Sequence, residues 1–399
     1  MTTTINNEHK KLNVPNLRFK EFEGEWSVTT LQKDCIVNPT NEKIADKFVY
    51  VDLESVKQGQ LYKYQILTKD NAPSRAQRVL HTDDILFQCV RPYQMNNYMV
   101  KGTMSDIQWV ASTGYAQIRT QTDYPAFLYY VLNTSKYNKA VMVRCTGSSY
   151  PAINSEDLSK IPFYKCGIAE QKKIADFLSL LDERIATQNK VIEDLKKLKS
   201  AIIDYAIDSL DTDFAKFSSL YETAGEGGTP TTSNASFYDN GKIPFVKIDD
   251  LKQKYLTENK DFITELGLQK SSAWLVPTRS ILFSNGATIG EITITTYPVC
   301  TKQGILGIVP KSNIDVEFLY YFMSSTYFKK AVSRIVTEGT MKTAYLKDIN
   351  NILCPIPIKE KQQGIAKIPS TLNSKIDFEQ SILRLFWAQK RHLLSQMFI

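Results

Sequence analysis

The sequence predicts an α+β fold in which two pseudo-repeated α/β globular domains are separated by two long helices that pair as an antiparallel coiled coil. Two observations lead to this prediction. The segment FLYYVLNTSKYNKAV (127–141) returns as FLYYFMSSTYFKKAV (318–332), with seven of fifteen residues identical at a separation of 191 residues. In both halves, apolar residues at alternating steps of three and four then follow, which is typical of helices that pair.

The repeat extends along most of the chain and keeps its order. At the same offset, KIADFLSLLDERI (173–185) aligns with GIAKIPSTLNSKI (364–376), and residue 208 aligns with the last residue. Towards the N-terminus the offset becomes 195 or 196, where DILF (84–87) aligns with SILF (280–283). An aromatic patch such as FLYY is by itself an ordinary core feature. The ordered series of matches instead favours a duplicated unit.

Each unit begins with a mixed region of short strands and turns. β-type runs such as KFVYVDL (47–53) and EITITTYPV (291–299) alternate with turn sequences such as GGTP (227–230). The repeated aromatic segment is predicted to be a helix between these strands and the long helix. Each mixed region has about 150 residues, a usual domain size. We predict domains at 1–167 and 209–357, and long helices at 168–208 and 358–399.

The two long helices carry equivalent heptad seams. Alternating steps of three and four run from Leu178 to Ala206 in the first helix, and the second copy runs from Leu372 to Met397. Polar residues interrupt both seams at equivalent positions. The equivalent polar residues are Gln188 with Glu379, and Lys199 with Lys390.

These polar residues predict a register for the helix pair. In an antiparallel arrangement, we expect Lys199 to face Glu379 and Gln188 to face Lys390. Such polar pairs fix the register of a coiled coil at some cost in stability. The alternative is that these long side chains extend out of the seam towards solvent.

The second helix differs from the first near its start. Gly364 and Pro369 stand where the first copy has Lys173 and Leu178. A proline inside a helix costs about 3 kcal/mol, whereas a proline in the first turn is tolerated. We therefore expect the second long helix to start or to kink near Pro369.

Composition places the chain among ordinary globular proteins. It has 43% hydrophobic and 23% charged residues, no apolar run of the length that a membrane span needs, and no apolar signal-peptide core at its start. Six scattered cysteines without a C-x-x-C pair favour free thiols in a reducing cytoplasm. The net charge of +7 is shared between the two halves, so nucleic-acid binding would depend on placed residues rather than on bulk charge.

The sequence lacks the motifs of common catalytic and cofactor sites. Its fifteen prolines include no adjacent pair, so the amino-methyltransferase motif is missing, as are G-x-G-x-x-G and the P-loop. The three histidines, His9, His81 and His392, do not have the spacing of a metal site or a catalytic triad. The DLK triplets at 194–196 and 250–252 are too short to indicate a nuclease. The sequence therefore favours recognition without catalysis.

Longer motifs resemble one known family, the specificity subunits of type I restriction-modification systems. The resemblance covers essentially the whole chain. It includes the two long helices of the EQKKIADFLSLLDERI type. The other motifs are VPNLRFKEFEGEW (14–26), TGSSYPAINSEDLSKIP (146–162), GGTPTTSNASFYDNGKIPFVKIDDL (227–251), SNGATIGEI (284–292) and GTMKTAYLKDINNILCPIP (339–357).

The resemblance implies a sequence-specific DNA-recognition subunit that is not itself catalytic. Domains 1–167 and 209–357 would be target recognition domains, each reading one half of a split double-stranded DNA site. Helices 168–208 and 358–399 would space the domains and dock two methyltransferase subunits, which carry S-adenosylmethionine. Restriction and translocase subunits would join for cleavage. This chain would hold no cofactor and no metal, and it would act in cytoplasmic host defence.

Two other classes of protein stay open from the sequence. A fused restriction-methylation enzyme with a divergent catalytic part would bind S-adenosylmethionine and methylate DNA by itself. A coiled-coil adaptor with paired globular ends would show no salt-dependent affinity for DNA.

Loops rich in polar side chains provide candidate DNA contacts. Base edges are read mainly by Arg, Lys, Asn and Gln, and phosphates are held by Lys, Arg, Ser and Thr. In the first domain the candidates are Arg75, Arg78, Arg91, Tyr93, Gln94, Asn96, Asn97, Arg144, Thr146, Ser148, Ser149 and Tyr150. In the second they are Thr229, Thr231, Thr232, Asn234, Lys247, Asn285, Thr288, Lys302, Gln303, Thr340 and Lys342.

Both long helices also carry apolar residues beyond the seam. Ile174 and Phe177 of the first helix correspond to Ile365 and Ile368 of the second. We predict that these residues form outward stripes that contact methyltransferase helices. One chain would then dock two methyltransferase subunits.

Overall fold

The computed structural model describes residues 13–40, 42–102, 107–147, 149–286, 288–336 and 342–399. The chain divides into two compact units. The first comprises Met1–Lys190 together with Ser381–Ile399, and the second comprises Val191–Gln380. Each long helix therefore contributes one part to each unit.

The first unit combines short strands with a helical layer. Its strands are β1 (Ser27–Thr30), β2 (Cys35–Val37), β3 (Lys47–Val51), β4 (Val56–Lys57), β5 (Gln60–Leu61), β6 (Gln65–Thr68), β7 (Ala76–Leu80), β8 (Ile85–Gln88), β9 (Tyr98–Met99), β10 (Gln108–Ser112), β11 (Tyr115–Thr120) and β12 (Pro162–Lys165). Its helices are α1 (Leu31–Asp34), α2 (Pro125–Leu132), α3 (Ser135–Val143), α4 (Ser155–Ser159) and the first part of α5 (Ile168–Asp208).

Two four-stranded sheets organise this unit. One has the order β6-β3-β10-β7, in which β3 and β10 are parallel, and the other has the antiparallel order β2-β11-β8-β9. Helix α2 packs on β8 and β11 and belongs to the same core as Ile174 and Leu178 of α5. Because it is covered on more than one side, α2 buries the run from Phe127 to Leu132 and has no polar face.

The second unit repeats this plan. Its strands are β13 (Phe214–Lys216), β14 (Tyr221–Glu226), β15 (Ile243–Val246), β16 (Tyr255–Leu256), β17 (Asp261–Ile263), β18 (Ile281–Ser284), β19 (Ile292–Thr295), β20 (Cys300–Thr301), β21 (Ile305–Pro310) and β22 (Leu353–Pro355). Its helices are the end of α5, α6 (Glu265–Gln269), α7 (Val316–Ser324), α8 (Thr326–Ile335), α9 (Leu346–Ile349) and the first part of α10 (Lys359–Met397).

The sheets of the second unit match those of the first in outline but differ in size. One sheet has the order β14-β21-β18-β19-β16 and the other the order β17-β15-β20. The parallel pair β15 and β20 corresponds to β3 and β10, and the antiparallel pair β18 and β21 corresponds to β8 and β11. This agreement between the two units confirms the duplication that the sequence predicted.

The joint between each mixed region and its long helix is also repeated. In the first unit, Gln171 Oε1 accepts from Tyr124 N at 2.9 Å, and its Nε2 donates to Cys166 O at 2.9 Å. In the second, Gln362 Oε1 accepts from Asp315 N at 2.7 Å, and its Nε2 donates to Pro357 O at 2.8 Å. Each pair of equivalent residues is 191 apart in sequence. One buried glutamine thus attaches the start of each aromatic helix to its long helix.

The second long helix does not start near Pro369, which was one of the two outcomes that the sequence predicted. Helix α10 begins at Lys359, ten residues before Pro369, and Pro369 lies inside it. Pro369 cannot donate a backbone hydrogen bond within the helix, and the residues on either side of it make tertiary contacts. Ala366 lies in the core of the second unit, and Ser370 Oγ donates to Glu317 at 2.6 Å.

The expected partners of the seam lysines are also wrong. In the first unit, Lys390 Nζ lies 2.5 Å from Asp182 Oδ1. In the second unit, Lys199 Nζ donates to Asn373 Oδ1 at 2.9 Å. Both lysines are therefore held within the helix pair, by residues six positions away from those that the heptad pattern suggested. In the first unit, the Arg184 guanidinium lies 5.8 Å from the centre of the Phe386 ring. Position 182 thus meets 390 and position 184 meets 386, which confirms the antiparallel direction there.

Among the described residues, no helix is long and apolar enough to cross a membrane. Nor do those residues contain a group of three or more His, Cys, Asp or Glu side chains arranged to hold a metal ion. All six cysteines are free thiols, and Cys35, Cys89, Cys300 and Cys354 are buried.

Candidate nucleic-acid interface

In the first unit, a polar loop at residues 88–97 follows strand β8. The side chain of the buried residue Gln88 organises this loop. Its Nε2 donates to Gln94 Oε1 at 2.9 Å, and its Oε1 accepts from Asn96 N at 3.2 Å. The bond from Gln88 occupies one lone pair of the Gln94 oxygen, so the second lone pair and the NH₂ group of Gln94 remain to contact a base.

Asn97 was predicted to contact DNA, and its burial corrects this prediction. It is 1% exposed, accepts from Gln88 N at 2.9 Å, and donates to Asn133 at 3.2 Å. Both ends of its side-chain amide therefore support the loop, so Asn97 does not reach the surface.

A second loop, of which the structure describes residues 144–147 and 149–152, joins the first. Arg91 N donates to Pro151 O at 2.8 Å, and the Arg91 guanidinium lies 4.7 Å from the centre of the Tyr150 ring. Arg91 and Met95 adopt left-handed backbone conformations, with φ of 54° and 51°. Strained conformations of this kind persist where surrounding contacts fix the loop. The exposed candidates on this joined surface are Tyr93, Gln94, Arg144, Thr146, Ser149 and Tyr150.

Arg75 immediately precedes strand β7, and Arg78 lies within that strand. Arg75 is exposed, while Arg78 is half-buried opposite Ala111. Burial lowers the pKa of the Arg78 guanidinium, and its Nε has no hydrogen-bond partner among the described residues. An unpaired, partly desolvated guanidinium is well suited to bind a phosphate or a guanine edge.

In the second unit, five loop segments converge on a cleft of about 520 Å³. Close packing brings two of these loops together. A Cβ on Gly227 would lie 2.3 Å from Thr301 O, and a Cβ on Gly228 would lie 2.4 Å from Ala273 N. Only glycine allows this approach. The cleft is lined by Glu226, Thr229, Lys247, Ile248, Asp249, Gly286, Lys302, Gln303, Gly304, Thr343 and Tyr345.

The cleft combines four predicted contact residues from separate parts of the sequence. Thr229 Oγ1 accepts from Gln303 N at 3.3 Å, so these two loops are directly linked. Lys247 is paired with Asp261 at 2.8 Å. Lys302 is exposed and forms no ion pair with any described residue. The cleft thus presents a free cation, an amide and a hydroxyl to a ligand.

The remaining candidates of the second unit are dispersed. Asn285 is 1% exposed and donates to Ala344 O at 3.2 Å, so its proposed contact with DNA is corrected to a structural role. Lys342 is exposed next to Thr343 at the edge of the cleft. Ser148 and Thr340 lie outside the described residues. The other exposed candidates are Thr231, Thr232, Asn234 and Thr288.

Sequence reasoning missed four cleft residues with polar side chains, Glu226, Asp249, Thr343 and Tyr345. Two of them are acidic, and a search for positive and amide side chains passes over carboxylates. Glu226 immediately precedes the paired glycines of the GGTP turn. Its position next to this predicted loop is the sequence feature that could have identified it as a cleft residue.

The predicted apolar stripe is correct only in part. Ile174 is 2% exposed in the core of the first unit and Ile365 packs against the core of the second, so neither points outward. Phe177 and Ile368 are 40% and 57% exposed. In the first unit, Phe177 lines a groove of about 700 Å³ with Leu180 and Phe386.

The fold and these loops define a class of duplicated recognition protein, in which each unit presents a polar loop surface and is braced by long helices. The chain belongs to the family of the type I restriction modification DNA specificity domain, whose model matches residues 36–197 and again residues 212–384. These two matches confirm the predicted family and the role of the family in DNA sequence specificity.

Known proteins agree with this assignment. The type I restriction enzyme HindI specificity subunit of Haemophilus influenzae is 21% identical over 75% of this chain and 79% of that protein. The putative type I restriction enzyme MjaX specificity subunit of Methanocaldococcus jannaschii is 23% identical over 93% of this chain and 92% of its own length. The type I restriction-modification S subunit of M. genitalium has a similar fold, with a TM-score of 0.54, 17% identity, and coverage of 97% of this chain and 99% of that one.

Proposed function

We propose that this chain is the non-catalytic DNA-recognition subunit of a type I restriction-modification complex and reads a bipartite DNA target. Domain 1–167 reads one half-site and domain 209–357 the other. The observation that most supports this proposal is the cleft of the second unit, where Thr229, Lys247, Lys302 and Gln303 converge from distant segments. The joined loops at residues 88–97, 144–147 and 149–152 are the corresponding surface of the first unit.

The same proposal assigns partners to the long helices 168–208 and 358–399. Phe177 and Ile368 occupy equivalent positions in the repeat and are both exposed apolar side chains on a long helix. One such surface in each unit supports docking of two methyltransferase subunits. Those subunits bind S-adenosylmethionine and carry out methylation, and restriction and translocase subunits join for cleavage. We place the complex in the cytoplasm.

Co-expression with methyltransferase subunits, followed by sequencing of methylated DNA, tests this proposal. The expected result is a split target with two defined half-sites. Exchanging residues 209–357 for the second domain of another family member is expected to change one half-site only. Changes in both half-sites contradict modular reading.

Two experiments, one on the purified complex and one on the purified chain, test the number of methyltransferase partners and the alternative that this chain is itself a methylating enzyme. Light scattering is expected to show two methyltransferase subunits for each copy of this chain. A stable one-to-one complex at saturating partner contradicts the docking proposal. Methylation of DNA by the purified chain alone contradicts its assignment as a non-catalytic subunit.

A further inference from the structure

The cleft of the second unit contains an unneutralised carboxylate on a surface that is otherwise suited to bind a polyanion. Glu226 is the last residue of β14, and its side chain lines the cleft with Lys302 and Gln303. Its Oε1 accepts from Gly304 N at 2.9 Å, and no described Lys or Arg forms an ion pair with it. By contrast, Asp249 in the same cleft is paired with Lys252 at 3.0 Å.

The backbone fixes the position of this carboxylate. Gly304 has φ of 90° and so belongs to a turn that presents its N–H to Glu226. Gly227, the next residue, packs against Thr301 and Lys302 and leaves no room for a side chain. With Oε1 engaged, Oε2 is the acceptor that remains for a ligand.

An ionised carboxylate can only accept hydrogen bonds, so next to DNA phosphates it is repelled unless it meets a donor. In the major groove, the donors are the exocyclic amines N4 of cytosine and N6 of adenine, and the other polar base atoms are acceptors. Carboxylate side chains pair with cytosine N4 for this reason. The chemistry that suits Glu226 is therefore a base amine.

We infer that Glu226 is a base-reading residue that accepts, through Oε2, a hydrogen bond from the amine of one cytosine or adenine in the major groove. This inference rests on the proposed DNA-recognition function and specifies it for the half-site read by domain 209–357. Lys302 and Gln303, beside it in the cleft, contact neighbouring acceptor atoms or phosphates.

A transition substitution in the DNA tests the inference directly, because changing C to T or A to G replaces the amine with a carbonyl oxygen. The complex of this chain with its methyltransferase subunits is titrated with duplexes that carry one transition at each position of the half-site. For the wild type, one position is expected to lose about 5- to 150-fold in affinity. In Glu226→Gln, the Gly304 amide still meets an oxygen, and the new NH₂ faces the base. The loss at that position is therefore expected to disappear, while losses at other positions remain.

Glu222→Gln is the matched control, because Glu222 is an exposed carboxylate on the same strand that does not line the cleft. It is expected to keep the wild-type losses at every position. A second test needs no variant of the protein. Duplexes in which purine replaces adenine, or 2-pyrimidinone replaces cytosine, lack only the amine, and one of these positions is expected to weaken wild-type binding.

Three results would overturn the inference while leaving the proposed function intact. In the first, Glu226→Gln keeps the wild-type losses of affinity at every position. In the second, removal of a cytosine or adenine amine from this half-site does not weaken wild-type binding. In the third, wild-type binding weakens only when hypoxanthine replaces guanine. Hypoxanthine lacks only the minor-groove amine and would place the carboxylate in the wrong groove. A wild-type complex without any sequence preference would instead contradict the proposed function itself.

Discussion

The repeated tyrosine of the two units, Tyr130 in the first and Tyr321 in the second, lies in two different ionic environments. In the first unit, Tyr130 OH donates to Asp182 Oδ2 at 2.8 Å, and Lys390 Nζ lies 2.5 Å from Asp182 Oδ1 and 5.7 Å from the centre of the Tyr130 ring. Asp182 belongs to α5 and Lys390 to α10. The cluster therefore connects α2 to both long helices.

In the second unit, the buried cation comes from another element. Lys254, which precedes strand β16, places Nζ 4.9 Å from the centre of the Tyr321 ring. It donates to Glu317 Oε2 at 2.7 Å and to Ser370 Oγ at 2.9 Å. Tyr321 OH donates to the same Ser370 hydroxyl at 3.2 Å. Here the mixed region, rather than the other long helix, supplies the positive charge.

The polar contact between the two long helices also differs between the units. Lys199 and Asn373 of the second unit correspond, at the offset of 191, to Lys390 and Asp182 of the first. The contact geometry is repeated, but an asparagine replaces the aspartate. Burial lowers the pKa of Lys199, while nearby Asp377 acts in the opposite direction.

The comparison shows that duplication preserved the positions of these polar contacts without preserving where the charge is balanced. A buried cation needs a partner, since an uncompensated charge inside a protein is strongly destabilising. The first unit meets this need across its helix pair, and the second meets it between its mixed region and α7. Perturbing the helix pair should therefore affect the first unit more.

The largest effect is expected for Asp182→Ala. Removing the carboxylate leaves Lys390 buried without a counter-charge, which should lower the free energy of unfolding of the first unit by about 3–5 kcal/mol. Hydrogen exchange of α2 measures this loss. The exposed neighbour Glu183 provides the control, and Glu183→Ala should change protection by less than about 0.5 kcal/mol. Equal effects of the two variants would show that the ion pair is not important.

For Lys254→Met, we expect the free energy of unfolding of the second unit to fall by about 2–3 kcal/mol, less than for Asp182→Ala. The effect is smaller because the Glu317 side chain, which loses its partner, is 26% exposed and can be hydrated. Exchange should accelerate in α7 and not in α2. Lys252→Met, at an exposed position on the same segment, is the control. Equal acceleration in α2 would mean that the two clusters are not independent.

The smallest effect on the free energy of unfolding, a change of less than about 1 kcal/mol, is expected for Asn373→Asp. This variant gives the second unit the charge pair of the first, but it also removes the hydrogen bond that Asn373 Nδ2 donates to Asp377 Oδ2 at 3.1 Å and places two carboxylates side by side. Burial holds the folded-state pKa of Lys199 in the wild type below the 10.5 of a free lysine side chain. Between these two values the unfolded chain binds more protons, so wild-type stability should rise with pH in that window. Asn373→Asp should raise the pKa of Lys199 and abolish this rise in urea unfolding measured towards pH 10.5. If the stability of Asn373→Asp still rises with pH in this window, a titrating group other than Lys199 causes the rise.

Much of the architecture was predictable because it depends on local patterns. Apolar periodicity predicted two long pairing helices, and the matched segments at an offset of 191 identified the two units. Turn motifs such as GGTP located the loops that form the cleft. Gly227 and Gly228 are glycines because packing between loops excludes a Cβ, so sequence and packing agree there.

What the sequence alone determined is the duplication, the family, the seams of the long helices and the polar loops. The tertiary structure decided which residues meet. It paired Lys390 with Asp182, buried Ile174 and Asn97, carried α10 through Pro369, and placed Glu226 beside Gln303. Periodicity states which face of a helix is apolar, but the register between two helices and the burial of a side chain depend on packing between segments far apart in the chain.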